Sequence, residues 1–121
     1  MTMARQELGR LGESLAVEEL ERRGYAVLER RYRVRGGEID IVADDGGTLV
    51  FVEVKARMDA DFGTAAEAVT PWKRRRLVRM AKEYLTRQAV AGRACRFDVV
   101  AIMLNGSQPA IDVFQNAFDA G

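Results

Sequence analysis

The segment from Gly37 to Arg57, GEIDIVADDGGTLVFVEVKAR, constrains this chain more than any other stretch. Two runs rich in β-branched and aromatic residues flank Asp44-Asp45-Gly46-Gly47, a turn signal, which predicts strands over 38–43 and 48–57. Gly46-Gly47 suits the positive backbone angles of a two-residue hairpin turn. With the turn centred there, paired positions sum to 93, so Asp40 lies opposite Glu53 and Glu38 opposite Lys55. Directly opposed residues have Cβ atoms about 5 Å apart. A turn centred on Asp45-Gly46 breaks this pairing and puts Glu38 opposite Glu53.

Strand side chains alternate between faces. Glu38 and Asp40 then share one face of the first strand, and Glu53 and Lys55 share one face of the second. Leu49 and Phe51 lie on the Glu53 face, while Ile39, Ile41, Val50, Val52 and Val54 form an apolar opposite face. Charges at one end of an otherwise apolar strand face predict a cleft. The competing reading is an exposed polar hairpin with Glu38–Lys55 as a surface ion pair, a kind of contact worth little. Two carboxylates about 5 Å apart repel unless a cation sits between them, and a divalent magnesium or manganese ion fits. The backbone carbonyl of Val54 is a further candidate oxygen ligand, and Lys55 is suited to stabilise negative charge and to orient or deprotonate a water.

The rest of the chain supplies a framework for this hairpin. Residues 4–23 read as a helix that Gly24 stops. On it Leu8, Leu11 and Leu15 form one stripe, and Gly9, Gly12 and Ala16 form another that permits close approach to a sheet. Tyr25 to Val34 reads as a strand, residues 58–64 as a polar loop, and 65–69 as a short helical stretch. Thr70-Pro71 reads as an N-cap followed by proline at the first helical position. The helix it opens runs to about Gln88, with Leu77, Met80, Ala81, Tyr84 and Leu85 as its buried stripe. Phe97–Leu104 and Ile111–Phe114 read as two more strands. The order helix, three strands, helix, strand, strand predicts an α/β or α+β layer fold with a mixed sheet. At 121 residues the chain fits a single domain spanning 1–121, with a core over about 4–115 and a flexible tail.

Composition narrows the chemistry. There is no histidine, which removes Ser-His-Asp, Cys-His and imidazole–metal chemistry. The single cysteine, Cys95, excludes an intrachain disulfide and reads as a small core residue. No secretory signal and no long apolar run are evident, so the expectation is a cytoplasmic protein with no membrane association. Residues 1–37 carry eight basic and six acidic side chains, residues 38–70 two and eight, and residues 71–121 nine and four. An acidic middle between basic flanks suits a cation site bordered by phosphate contacts. Lys73 and Arg76, near the apolar stripe of their helix, are positioned to reach toward the sheet, and Arg33 and Arg35 flank the proposed site. Trp72 reads as a packing residue at a helix start, with base stacking as its alternative. Asp98, in RFDVVAI, reads as a structural anchor.

Asp40 followed by Glu53-Val54-Lys55 resembles the Asp…Glu-x-Lys signature of the PD-(D/E)xK nuclease superfamily. The wider set GESLAVEELERRGY, GEIDIVA, LVFVEVKAR and RFDVVAI, spanning residues about 9–104, resembles the YraN family, whose fold is similar to that of archaeal Holliday-junction resolvases. Ile39 stands where the superfamily's name has proline. The resemblance implies a restriction-endonuclease-like α/β fold, a central mixed β-sheet flanked by helices. It implies Asp40 and Glu53 as ligands of Mg2+ (or Mn2+), the Val54 carbonyl in the metal shell, Lys55 assisting the attacking water, and Glu13 as a further acid from the first helix. The implied activity is hydrolysis of DNA phosphodiesters, at branched or damaged structures among others, with nucleic acid as partner and a homodimer by analogy. A weakly active or inactive nucleic-acid-binding module that works with a partner protein is the alternative, and RNA is a third substrate reading.

Overall fold

The computed structural model describes residues 5–58, 69–90 and 92–120. The chain forms α1 (Arg5–Arg22), β1 (Ala26–Val34), β2 (Gly37–Asp45), β3 (Thr48–Arg57), α2 (Pro71–Arg87), β4 (Cys95–Met103) and β5 (Ala110–Phe114). The strands lie in the order β1-β2-β3-β4-β5 in one sheet. Only β3 and β4 run parallel. A parallel pair needs a long crossover, and α2 lies within it. The result is the α/β layer fold with a mixed sheet that the motif order predicts, in the restriction-endonuclease-like sequence of elements. The loop expected at 58–64 and the helical stretch at 65–69 fall almost entirely outside the described residues. Among the described residues no helix is long and apolar enough to cross a membrane.

Each helix covers one face of the sheet. Leu77, Met80, Ala81 and Tyr84 of α2 pack with Phe51, Val42, Phe97 and Val99 in one cluster. Tyr84 meets Phe51 edge-on, with ring centroids 5.6 Å apart. Burying side chains of this size stabilises the fold by about 1.5–3 kcal/mol each. The start of α2 matches its sequence signal: Thr70 is extended and its hydroxyl accepts from the Lys73 N–H at 3.3 Å.

On the other face, Ala16, Val17 and Leu20 of α1 pack with Ile41, Val50, Val52 and Val100. The small-residue stripe lies against the sheet as expected, with Gly12 and Ala16 buried, while Leu11 on the leucine stripe is 38% exposed. A Cβ on Gly12 would stand 2.6 Å from the Cβ of Ala56, so α1 can lie this close to β3 only with glycine there.

Asp98 anchors the far end. It is fully buried and accepts from the Tyr25 hydroxyl, the Arg96 guanidinium and the Asn116 N–H, each at 2.9 Å. These bonds tie the residue after α1, strand β4 and the segment beyond β5 together. Cys95 is exposed rather than a core residue, because it opens β4 at the sheet margin.

Candidate active site

The β2–β3 hairpin turns at Gly46 (φ 61°) and Gly47 (φ 99°), both in the left-handed region that glycine tolerates. Its register runs from Asp45 opposite Thr48 to Ile41 opposite Val52, the pairing that sums to 93. Beyond Ile41 the ladder stops. Asp40, which would come next, turns its carboxylate into the gap and accepts the Val54 N–H at 2.8 Å. A side chain has taken the place of a backbone carbonyl.

The pairing of β1 with β2 also lapses at this level, although the register is the same on either side. Tyr32 pairs with Ile39 and Arg30 with Ile41, but Arg31 and Asp40 between them are unpaired. Arg31 has φ 50°, unusual for a non-glycine residue. As a consequence alternation fails along β2. Ile39 joins the α2-side cluster, whereas Ile41 joins the α1-side cluster. The expectation that Ile39 and Ile41 share a face is therefore corrected, and the cause is the paired irregularity at Arg31 and Asp40.

Asp40 is reached from both sides of the sheet. On the α2 side a cavity of about 350 Å3 is lined by Gly37, Glu38, Asp40, Glu53, Lys73 and Arg76, with the core residues Leu77 and Met80. The Asp40 and Glu53 carboxyls both line this cavity, close enough for the charge of Asp40 to act on Glu53. Burial is the main cause raising the pKa of both acids. For Glu53 it combines with the charge of Asp40, against the opposing pull of Lys73 and Arg76, to push the carboxyl up to about 8. For Asp40 the Val54 N–H opposes the rise, and Glu13 adds to it. Burial and the neighbouring negative charge thus both favour a proton shared by the Asp40–Glu53 pair.

Lys55 is half-buried beside this pair and lies outside the cavity lining. Burial, then Lys73 and Arg57, lower its pKa, while Glu53 opposes the shift. On the α1 side a second cavity, of about 620 Å3, is lined by Glu13, Asp40, Glu38, Arg31, Arg33 and Val54, among others. Glu13 is 7% exposed and is gripped by Arg31 Nε at 2.8 Å and Arg30 Nε at 3.3 Å. It therefore faces Asp40 from the side opposite Glu53. Among the described residues no three acidic, histidine or cysteine side chains converge closely enough to hold one ion together. The donor set near Asp40 is thus two carboxylates with Val54 alongside.

Of the basic residues singled out from the sequence, Lys73 and Arg76 wall the acid cavity, and Arg76 also donates to the Gly36 carbonyl at 3.0 Å. That guanidinium crosses so close to Gly37 that a Cβ there would lie 3.0 Å from its Cζ. Arg33 is largely exposed and pairs with Glu38 at 3.0 Å. The Glu38–Lys55 pairing thus gives way to Glu38–Arg33, because the strands have parted at that level. Arg35 lies in neither cavity, and its peptide N–H donates to Glu83. Trp72 is not a packing residue: it is 60% exposed, with the Arg76 guanidinium 5.6 Å from its ring centroid. The arginine grip on Glu13 was not legible, since adjacent Arg30 and Arg31 reach one acid only through the local irregularity of β1.

Residues 12–102 match the model of a family described as uncharacterised protein family UPF0102. A UPF0102 protein of Geobacter metallireducens is 47% identical over 119 residues, which covers 98% of each chain. One from Moorella thermoacetica is 47% identical over 120 residues, covering 98% of this chain and all of its own. One from Geobacter sulfurreducens is 49% identical over 113 residues, covering 93% of this chain and 88% of its own. With a family model spanning most of its length and relatives matched nearly end to end, this chain belongs to UPF0102, the YraN family that its motifs resemble.

Proposed function

We propose that this protein is a metal-dependent endonuclease that hydrolyses DNA phosphodiesters, with branched or damaged DNA among its substrates. The observation that carries the reading is that Asp40 and Glu53 line one cavity with Lys73 and Arg76 where β2 and β3 part. Two half-buried carboxyls side by side cannot both ionise cheaply, and a cation between them removes that obstacle. The available donors are all oxygen, which suits a hard divalent ion such as Mg2+ or Mn2+ that keeps several waters. Such an ion, when bound, supplies Lewis acidity to the phosphate and acidifies a coordinated water.

The chain's own groups have separate tasks. Lys73 and Arg76 offer positive charge to phosphate oxygens at the acid cavity, and Arg33 and Arg35 extend that charge along the surface. Lys55, with its pKa drawn down by burial, orients the attacking water and accepts its proton or steadies the developing charge. Asp40 and Glu53, both ionised, would hold the ion, with the Val54 carbonyl as a further oxygen donor. Glu13 acts on Asp40 across the strand gap through its charge, held in place by Arg30 and Arg31.

The test is a cleavage panel of linear, single-stranded and four-way-junction DNA in magnesium, manganese or chelator. Cutting that needs the metal and drops at least about a hundredfold in Asp40→Ala and Lys55→Ala is the expected result. Cutting that persists in chelator, or in those variants, overturns the assignment. One observation favours a second reading, a binding module that works with a partner protein: both Glu13 oxygens are already engaged, which leaves only two acids. Tight DNA binding with no cutting under any metal selects that reading. Matched RNA strands test the RNA alternative, and light scattering with and without DNA tests for a dimer.

A further inference from the structure

The first turn of a helix favours acidic side chains, because its N-terminal dipole end is positive. The start of α2 does the reverse: residues 73–76 read Lys-Arg-Arg-Arg, and its first turn holds no acid. Set against the helix dipole this charge works against folding, whereas an anionic ligand would gain from it. Two of the four point elsewhere or outward: Arg74 donates to the Val69 carbonyl and lies over Phe118, and Arg75 is exposed. Lys73 and Arg76 face the acid cavity.

Trp72 supplies an independent observation. A large indole that is 60% exposed, at the edge of an otherwise basic surface, forfeits the burial that normally keeps tryptophan in a sequence. Trp72 and Arg76 are four residues apart, on the same side of α2, and the guanidinium lies over the ring. Arg76 is thus shared between the indole and the acid cavity. An aromatic ring and a guanidinium lie side by side along one helix turn, and the guanidinium borders the cavity that holds the two acids of β2 and β3.

We infer that Trp72 is a stacking platform for an unpaired base whose phosphate is held by Lys73 and Arg76, so the site takes nucleic acids that present unpaired nucleotides rather than continuous duplex. A base within a duplex has both faces covered by its neighbours and offers nothing to the indole. A base in a single strand, flap or gap has a free face, and every base has one, so the preference is for structure and not for sequence. This inference rests on the nuclease reading for its biological meaning, but its test does not depend on cutting.

Trp72 is the only tryptophan in the chain, so intrinsic tryptophan fluorescence reports this residue alone. The full chain in chelator is titrated with a short oligothymidylate and with a blunt duplex of equal length. Stacking predicts strong quenching by the single strand and little by the duplex. Binding of labelled DNA, followed by anisotropy, should weaken about tenfold for the single strand in Trp72→Ala and change less than about threefold in Trp72→Phe. Duplex affinity should stay unchanged in both variants. Circular dichroism confirms that each variant is folded, as expected for an exposed position. Equal quenching by both DNAs, no quenching by either, or unchanged single-strand affinity in Trp72→Ala overturns the inference and leaves Trp72 as a surface for a protein partner. A protein that stacks single strands but never cuts loses the nuclease reading and keeps this one. A protein that cuts without quenching does the opposite.

Discussion

Removing the negative charge at position 53 should flatten the pH dependence of folding, and the size of that effect follows from the site. Glu53 moves from an ordinary carboxyl pKa of 4.5 to about 8, first through burial and then through Asp40. The folded protein thus holds the Glu53 proton more tightly than the unfolded chain does. The stability associated with this group is fully present below pH 4.5 and is lost as the pH rises through about 8. At about 1.36 kcal/mol per pKa unit, the shift is equivalent to roughly 5 kcal/mol, most of it lost between about pH 5 and about pH 8. Against a total stability of about 5–15 kcal/mol that is a large loss.

Urea denaturation followed by circular dichroism, in chelator, measures it. Ion-paired carboxylates such as Glu19, with its lowered pKa, change stability only at more acid pH, but other groups titrate across the range, so the informative quantity is wild type against Glu53→Gln. The variant should gain on the wild type by about 3 kcal/mol between about pH 5 and about pH 8. Magnesium or manganese should close that gap by stabilising the wild type at high pH and leaving Glu53→Gln nearly unmoved. A difference between the two proteins that does not change with pH refutes the argument that Glu53 is buried against Asp40 with a raised pKa. A pH-dependent difference that neither metal alters keeps the electrostatics and refutes the cation site.

Three further outcomes are expected. Gly12→Ala should cost about 1–3 kcal/mol in denaturant melts, since its Cβ would overlap that of Ala56, and adding Ala56→Gly should recover at least half; an unchanged midpoint in Gly12→Ala would mean that α1 does not lie so close to β3. Asp98→Ala should destabilise by about 3–5 kcal/mol, because the partly buried Arg96 loses its main partner, and the loss should show in the thermal midpoint without any change in metal affinity of the remaining folded protein. Thr70→Ala should cost about 1 kcal/mol through the lost cap, and Thr70→Ser should restore it; equal stability of the alanine and serine variants would deny the cap its role.

The parts of the site that could be read from sequence are those that local rules determine. Two glycines at a hairpin tip fix the turn, the turn fixes the register, and the register brings Asp40 to the level of Glu53. Likewise Thr70-Pro71 marks the start of α2, and its stripe of Leu77, Met80, Ala81 and Tyr84 is buried as its periodicity implies. What alternation does not encode is where a ladder stops. It assigned Glu38 to Lys55 and Ile39 to the face of Ile41; the first fails because the β2–β3 ladder ends at Ile41, and the second because β2 is irregular at Asp40. The close approach of α1, by contrast, was legible in its small-residue stripe, whose Gly12 lies against Ala56 of β3. Trp72 looked like packing by residue type, and only its neighbours in space decide otherwise.

The gap at Asp40 joins the fold to the chemistry. Once β2 leaves β3, the Val54 N–H needs another acceptor, and a buried donor left unmet costs about 1–3 kcal/mol. Asp40 meets it at 2.8 Å. An asparagine there would accept the same hydrogen bond and carry no charge, so the fold alone does not require an acid. With Asn at 40, Glu53 would lose its most repulsive neighbour, and its own burial would become easier. The chain instead sets a carboxyl beside a carboxyl at a place where the sheet opens to a cavity on either side. A feature that raises the cost of folding, where a neutral residue would serve the backbone equally well, belongs to the site rather than to the scaffold. Asp40→Asn is therefore the substitution that separates the two roles: it should keep the hairpin and the fold, raise metal-free stability at high pH, and abolish the cation dependence that the proposed reaction needs.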